Sequence, residues 1–419
     1  MLAARLKCPI RLIWLKKQAR QTAPMGILFF TAVIDLIGFG LIIPILPFVT
    51  PKFGGNHFDI ALLIACYSIC AGICGPFWGK LSDRFGRKPI LLICLAGGSL
   101  SYLIMAFSTN LEMLYASRIA AGIMAGNFGI ASAMVADMTS VQNRAKGMGL
   151  IGAAFGIGLV IGPFIGGFLS GDAADHRLPG FVASGLSFAA LLAGTFFLRE
   201  SLPKEKRQQH HAQRQKQSKQ SVLTLLKNTR NTLLVLQYFI HNSCVSLSTY
   251  LFPLWVAARL EWGPKETGLT FGAVGILMAI IQGRMIGPLI KRFNELPLLF
   301  GCVTLMLAGY LFSAVAEGQQ QMLAAFFMTL AGATCCIPIL SSLLSKRTPL
   351  EVRGRMMGTS TAASAWGRTF GPVAAAVILS IGSFDITWLL GALLCGFYLS
   401  WIFSELRNPT PEVEEKAEV

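Results

Sequence analysis

Apolar runs long enough to cross a bilayer as helices recur from Met25 almost to the C-terminus. About twelve are counted: 25–49, 59–79, 90–108, 111–136, 147–170, 180–198, 231–257, 267–290, 295–316, 320–344, 356–381 and 384–404. Lipid offers the backbone no hydrogen-bonding partner, so such runs must close their bonds internally, as helices. Of the 419 residues 54% are hydrophobic and 13% charged, and mean hydropathy is +0.60, which excludes an ordinary soluble domain. The expected fold is an all-α polytopic membrane protein of twelve spans. Glycines stand at four-residue spacing in Gly122/Gly126, Gly152/Gly156 and Gly158/Gly162/Gly166, which lets helix backbones approach closely in lipid.

The formal charge of +16 is an orientation signal. Arg and Lys gather at Lys80–Lys88, Arg144/Lys146, Arg199–Arg230, Lys291/Arg292 and Lys346–Arg355, all in loops of one parity. The other parity holds little beyond Lys52, Arg177, Arg259 and Lys265. The excess of positive charge on one side places both termini and the basic loops in the cytoplasm. Nucleic acid is not an expected partner; the bilayer is. The expected divisions are a basic tail (1–24), a six-helix half (25–198), a basic hydrophilic linker (199–230), a second six-helix half (231–404) and a C-terminal tail (405–419). For residues 1–24 three readings are open: a short helix on the cytoplasmic surface, an organelle transit segment, or a dispensable extension before Met25.

The ten cysteines sit mostly inside apolar runs and imply no disulfide framework. Cys66, Cys70 and Cys74 share a helix face, yet neither His nor carboxylate accompanies them, so they read as small packing residues. No metal, cofactor or catalytic residue is expected: the spans contain no nucleophile elbow, zinc-helix motif or paired aspartates.

Between the second and third runs lies Gly79-Lys80-Leu81-Ser82-Asp83-Arg84-Phe85-Gly86-Arg87-Lys88-Pro89, a tight, basic, glycine-bearing turn. Its order of residues resembles the loop between the second and third spans of the major facilitator superfamily. The resemblance covers nearly all of 25–404 and implies two six-helix halves related by an internal repeat, working by alternating access. In that family Gly79, Asp83, Arg84, Gly86, Arg87 and Lys88 correspond to a conformational gate. Asp137, which closes the fourth run, resembles the acid that pairs with the loop, with Arg144 following. A cluster of Asp83, Arg87 and Asp137 holding one conformation shut is one reading; solvated loop charges worth less than about 1 kcal/mol each is the other.

Asp35 lies about ten residues into the first run, where an ionised carboxylate costs several kcal/mol unless paired or wetted. It is open to a structural role beside Pro44 or to proton and substrate chemistry. The pattern Asp35-x-x-Gly38-Phe39-Gly40-x-x-x-Pro44-x-x-Pro47 is similar to the first span of the drug/proton antiporter branch, tetracycline exporters included, where this acid is associated with coupling. Arg118 in the fourth run must find carboxylate, carbonyl or water, or snorkel to the interface. The family carries an arginine there in support of proton transfer, so Asp35 is its expected partner. The fifth run, with Gly158, Gly162, Pro163, Gly166 and Gly167, resembles the antiporter glycine/proline signature and leans towards export.

The second half repeats the first with altered chemistry. Gly162-Pro163 recurs as Gly371-Pro372, Arg144 as Arg353, Gly149 as Gly358 and Pro44 as Pro253, each 209 positions on. Gly79-Lys80 is read as echoed by Gly283-Arg284, and Arg87-Lys88 by Lys291-Arg292, at an offset of 204. On that register Gly287 replaces Asp83, Cys244 stands near Asp35, Lys346 opposes Asp137, and the carboxylates have left the second half. Arg284, Arg368 and His241 remain as candidates for contact with substrate.

The expected activity is proton-coupled export of a small amphipathic, drug-like or tetracycline-like molecule by a monomer of the bacterial inner membrane. The alternatives are an exporter or importer of an anionic metabolite or siderophore, and a membrane sensor. An enzyme is not expected.

Overall fold

The computed structural model describes residues 8–139, 144–202, 229–348 and 350–408. Most of the linker, the end of the C-terminal tail and the side chain of Arg144 lie outside the described residues. Among the described residues there is no strand, and the helices fall into twelve segments. The first half holds α1 (Cys8–Ile42, continued by Leu46–Val49), α2 (His57–Phe85), α3 (Arg87–Ala106), α4 (Leu111–Ile123, then Asn127–Met138), α5 (Arg144–Ser170) and α6 (Arg177–Phe197). The second holds α7 (Thr229–Leu260), α8 (Pro264–Ile280, a π-turn over Ile281–Met285, then Ile286–Phe293) and α9 (Glu295–Val315). It ends with α10 (Gln319–Thr334, then Cys336–Arg347), α11 (Leu350–Ile381) and α12 (Phe384–Arg407). Eight stretches are long and apolar enough to cross a membrane by that measure alone. Of the rest, α4 is broken at Met124–Gly126, and α7 and α11 span 32 residues each but carry more polar side chains.

Local chemistry fixes the corners. Asn56 caps α2 by accepting from the backbone N–H of Phe58 and Asp59, while Asp59 accepts from that of Asn56. Gly86 turns the chain from α2 into α3 at φ 111°, a conformation that a Cβ disfavours. Asn294 makes the equivalent turn from α8 into α9 at φ 62°.

These corners correct the register of the repeat. The starts of α2 and α8, His57 and Pro264, lie 207 positions apart, and their ends, Phe85 and Phe293, lie 208 apart. The π-turn in α8 accounts for the extra residue. Gly79-Lys80-Leu81-Ser82-Asp83-Arg84-Phe85-Gly86-Arg87 therefore matches Gly287-Pro288-Leu289-Ile290-Lys291-Arg292-Phe293-Asn294-Glu295. Lys291, not Gly287, stands opposite Asp83, and the offset of 204 was one helical turn short. Carboxylates also persist in the second half: Glu295 pairs with Lys346 at 3.2 Å and Glu405 with Arg347 at 2.8 Å, the latter pair buried.

The glycines of α5 serve two interfaces. A Cβ on Gly162 would stand 2.7 Å from Gly40 Cα, and Gly158 and Gly166 meet the backbone of α1 at Leu36 and Leu41. Gly167 instead faces α8 of the other half, where a Cβ would stand 2.8 Å from Gly268 Cα. The halves meet along α5–α8 and along its pseudo-equivalent, α2–α11. At one end they are locked: Tyr250 donates to the His57 carbonyl at 2.7 Å, and Ile60 and Ala61 join the core of the second half. Towards the other end no residue of α8 from Ile276 to Phe293 is buried, and the halves part there.

Candidate functional site

Asp35 is 8% exposed on α1, seven residues before that helix ends at Ile42, and the helices around it supply its partners. Ser187 of α6 donates to Oδ1 at 3.2 Å, and the Asn127 amide of α4 donates to Oδ2. A charged oxygen buried in this way needs such donors. Beside it lies a cavity of about 20 Å³, room for one water, lined by Thr31, Asp35, Leu91, Leu95, Asn127 and Ala131 among others. Asp35 thus points into its own half, between α1, α4 and α6. Neither Asn127 nor Ser187 was singled out from sequence, because one amide and one hydroxyl among many in apolar runs carry no signal alone.

Arg118 is buried as expected but makes no ion pair with Asp35. Its Nη2 lies 3.7 Å from Met105 Sδ, its guanidinium stands 6.0 Å over the Tyr102 ring, and Nε has no hydrogen-bond partner. The expected direct pairing is replaced by a contact with aromatic groups. Tyr67 of α2 and Tyr102 of α3 lie within electrostatic reach of both Asp35 and Arg118, and Tyr67 also reaches Arg368 of α11. Sequence reasoning missed both tyrosines. They connect the carboxylate to the gap between the halves.

Of the three candidates for substrate contact, the geometry keeps Arg368 at that gap. It is exposed in mid-α11, with Nη1 3.5 Å from Asn242 Oδ1. His241 is buried within the second half, edge-on to Tyr398 at 6.3 Å, and does not face the gap. Arg284 lies on the exposed π-turn of α8, away from the central residues.

The charge cluster is built, and within one half. Arg87 binds Asp83 at 2.7 Å and Asp137 at 3.1 Å, and donates to Ser82 Oγ at 2.8 Å. Glu200, beyond the end of α6, accepts from the backbone N–H of Arg87 and Lys88 at 2.9 and 3.2 Å. It caps a helix that opens with two cations, which the helix dipole disfavours. Lys88 Nζ donates to the Thr195 carbonyl at 2.7 Å, and Arg84 stacks on Phe85. These contacts join α2, α3, α4 and the segment after α6. The solvated-charge reading fails for Arg87, which is 8% exposed.

Comparison with known proteins matches this architecture. The model of the Major Facilitator Superfamily matches residues 28–319 and 234–419. The chain is 31% identical to the class H tetracycline resistance protein of Pasteurella multocida, over 92% of this chain and 97% of that one. It is 32% identical to the class D protein of Salmonella ordonez, over 93% and 98%. The crystal structure of the human organic anion transporter MFSD10 (TETRAN) has the same fold, with a TM-score of 0.70 and 24% identity, over 90% and 99%.

Proposed function

The chain belongs to the major facilitator superfamily, and we propose that it exports small amphipathic molecules of the tetracycline type in exchange for protons. The observation that carries this reading is Asp35: a buried carboxylate in mid-membrane, held by two donors beside a one-water cavity. Such a group is retained in a span at a cost of several kcal/mol, and proton exchange is what it offers in return. With the basic loops in the cytoplasm, the locked end at His57–Tyr250 is external and the parted end is internal. In this state Asp35 loses a proton towards the cytoplasm and cargo enters between the halves. Rocking about α2–α11 and α5–α8 then exposes both to the outside, where cargo leaves and Asp35 is protonated again. Each proton carried inwards supplies about 2.3 kcal/mol per 100 mV from the electrical term.

A second reading keeps the mechanism and changes the cargo. Arg368 stands exposed at the gap with an amide, not a carboxylate, at hand, which suits an anionic group on an amphipathic metabolite. Both are tested by proton flux in liposomes challenged with tetracycline, a lipophilic cation and a lipophilic carboxylate. A flux provoked by one class and abolished in Asp35→Asn identifies the cargo. Undiminished gradient-driven transport by that variant would remove Asp35 from the mechanism.

A further inference from the structure

The three groups around the buried carboxylate recur, as a set, in the second half. Asp35, Asn127 and Ser187 correspond to Cys244, Cys336 and Cys395, at offsets of 209, 209 and 208. The correspondence is spatial too: Cys244 Sγ lies 3.9 Å from Cys395 Sγ, and Cys336 is within electrostatic reach of Cys395. Each triplet joins the first, fourth and sixth helices of its half. Asn127 and Cys336 moreover hold the same special place. Each is the first residue of the second segment of a broken helix, α4 or α10. The fold thus brings the start of that segment against the first helix in both halves, and only the first half places a carboxylate in the contact.

We propose that Asn127 is a positioning residue for proton coupling: its amide serves both charge states of Asp35 and passes the difference to the second segment of α4. The inference rests on the proton-coupled reading above. Asparagine suits the task chemically. Its NH2 donates to a carboxylate, and after a rotation of the amide its oxygen accepts from a carboxylic acid, so neither state leaves a buried group unpaired. In the step proposed, a hydronium ion reaching the adjoining cavity gives its proton to Asp35 Oδ2 and is left as water, the Asn127 Nδ2–H···Oδ2 bond breaks, and the Asp35 O–H donates to Oδ1 of the rotated Asn127 amide. Asn127 differs from the other groups around Asp35 by its place in the chain. Around Asp35, α2 contributes Tyr67, α3 contributes Cys94 and Tyr102, α4 adds Arg118, and α6 gives the Ser187 hydroxyl, with Arg368 beyond Tyr67. Ser187 Oγ also lies 3.2 Å from the Leu95 carbonyl and is anchored there. Asn127 alone among these stands at the start of a helix segment, directly after the Met124–Gly126 break.

The segment is 12 residues, Asn127–Met138, so it spans about 18 Å. Its far end carries Asp137, bound to Arg87. One short helix therefore has the coupling carboxylate at its first residue and the loop charge cluster at its last full turn. A tilt started at Asn127 arrives at the Asp137–Arg87 contact.

Two measurements on the full chain in liposomes test this. First, infrared difference spectra of protein carrying isotope-labelled asparagine, with Asn127→Leu subtracted, isolate the Asn127 amide band. The band is expected to move over the same pH interval as the carboxyl band that Asp35→Gln removes, and to stay fixed with pH in Asp35→Gln. An Asn127 band that ignores pH in the unmodified protein overturns the inference. Second, gradient-driven accumulation of tetracycline is compared with its counterflow in the same vesicles. In Asn127→Leu accumulation is expected to fall more than tenfold relative to that variant's own counterflow, with Asn127→Gln intermediate; an unchanged ratio overturns the inference. If the unmodified protein moves no tetracycline, the export reading fails while the infrared result still decides the role of Asn127. Subtracting Asn127→Gln, which also lacks the labelled amide, isolates the same band, so the decision stands even where a leucine disturbs packing.

Discussion

Glu295 accepts from the ammonium of Lys346 at 3.2 Å, at the corner of the second half where the first half joins Arg87 to Asp137 at 3.1 Å. The polarity of the pair is inverted between the repeats: Arg87 becomes Glu295, Asp137 becomes Lys346, and Asp83 becomes Lys291. The inversion has a local cause. Glu295 opens α9, where an acid suits the positive end of the helix dipole, so no separate cap is needed. Arg87 opens α3 with the wrong sign and is offset by the carboxylate of Glu200.

The two corners should therefore differ in what they contribute to stability. Arg87 is almost buried and bound to two acids, so Arg87→Ala removes the cation that two partly buried carboxylates share and is expected to cost about 3 kcal/mol. Lys346 is 43% exposed, and Lys346→Ala is expected to cost less than about 1 kcal/mol. Thermal unfolding of the two variants in detergent compares them directly; equal losses would mean that burial does not set the difference.

Glu200→Ala removes the cap of α3 and leaves two backbone N–H groups without their acceptor. A loss of about 1–2 kcal/mol is expected. Glu200→Gln, which keeps an acceptor but not the charge, should recover part of it. Hydrogen exchange at Arg87 and Lys88 reports the same effect locally: faster exchange in Glu200→Ala confirms the cap, and unchanged exchange refutes it.

The glycine interfaces separate tight from open positions. Gly162→Ala sets a methyl against the backbone of α1 at Gly40 and is expected to cost about 1–3 kcal/mol. Gly301→Ala in α9 meets nothing within 4 Å and should gain about 0.5–1 kcal/mol through helix propensity. Unfolding midpoints for the pair test whether close packing, rather than composition, explains the spacing.

What sequence made legible follows from how local each signal is. The spans, the depth of Asp35 and the basic turn after α2 are properties of one stretch read against lipid, and the structure keeps Arg87 beside Asp83 and Asp137 as the pattern implied. The partners of Asp35 are not local. Asn127 and Ser187 lie 92 and 152 residues away, and only folding brings them to the carboxylate. The expected Asp35–Arg118 ion pair is not formed, and the guanidinium stands over the Tyr102 ring instead. The register error arose from chance: Gly283-Arg284 and Lys291-Arg292 mimic the first-half motif one turn early. The inserted π-turn residue in α8 shifts the true match, and no periodicity in the sequence reveals it. Glu200 carries no signal of its own, because it stands at the edge of a hydrophilic linker where charges are common.

At the opposite end of the first half, His176 gives a prediction with a defined sign. It precedes α6, lies edge-on to Phe53 at 5.2 Å, and its Nε2 stands 3.1 Å from the Ser108 carbonyl. Burial holds its pKa below the ordinary 6.5. The folded protein therefore binds this proton less readily than the unfolded chain. The stability that this neutral contact contributes is present above about pH 6.5 and is lost as pH falls from there towards the lowered folded value. His176→Gln keeps a donor for the Ser108 carbonyl and removes the titration. Between about pH 7.5 and about pH 5.5 the unmodified protein is expected to lose more thermal stability than this variant. Parallel curves for the two proteins would show that His176 is charged, or solvated, in the folded state.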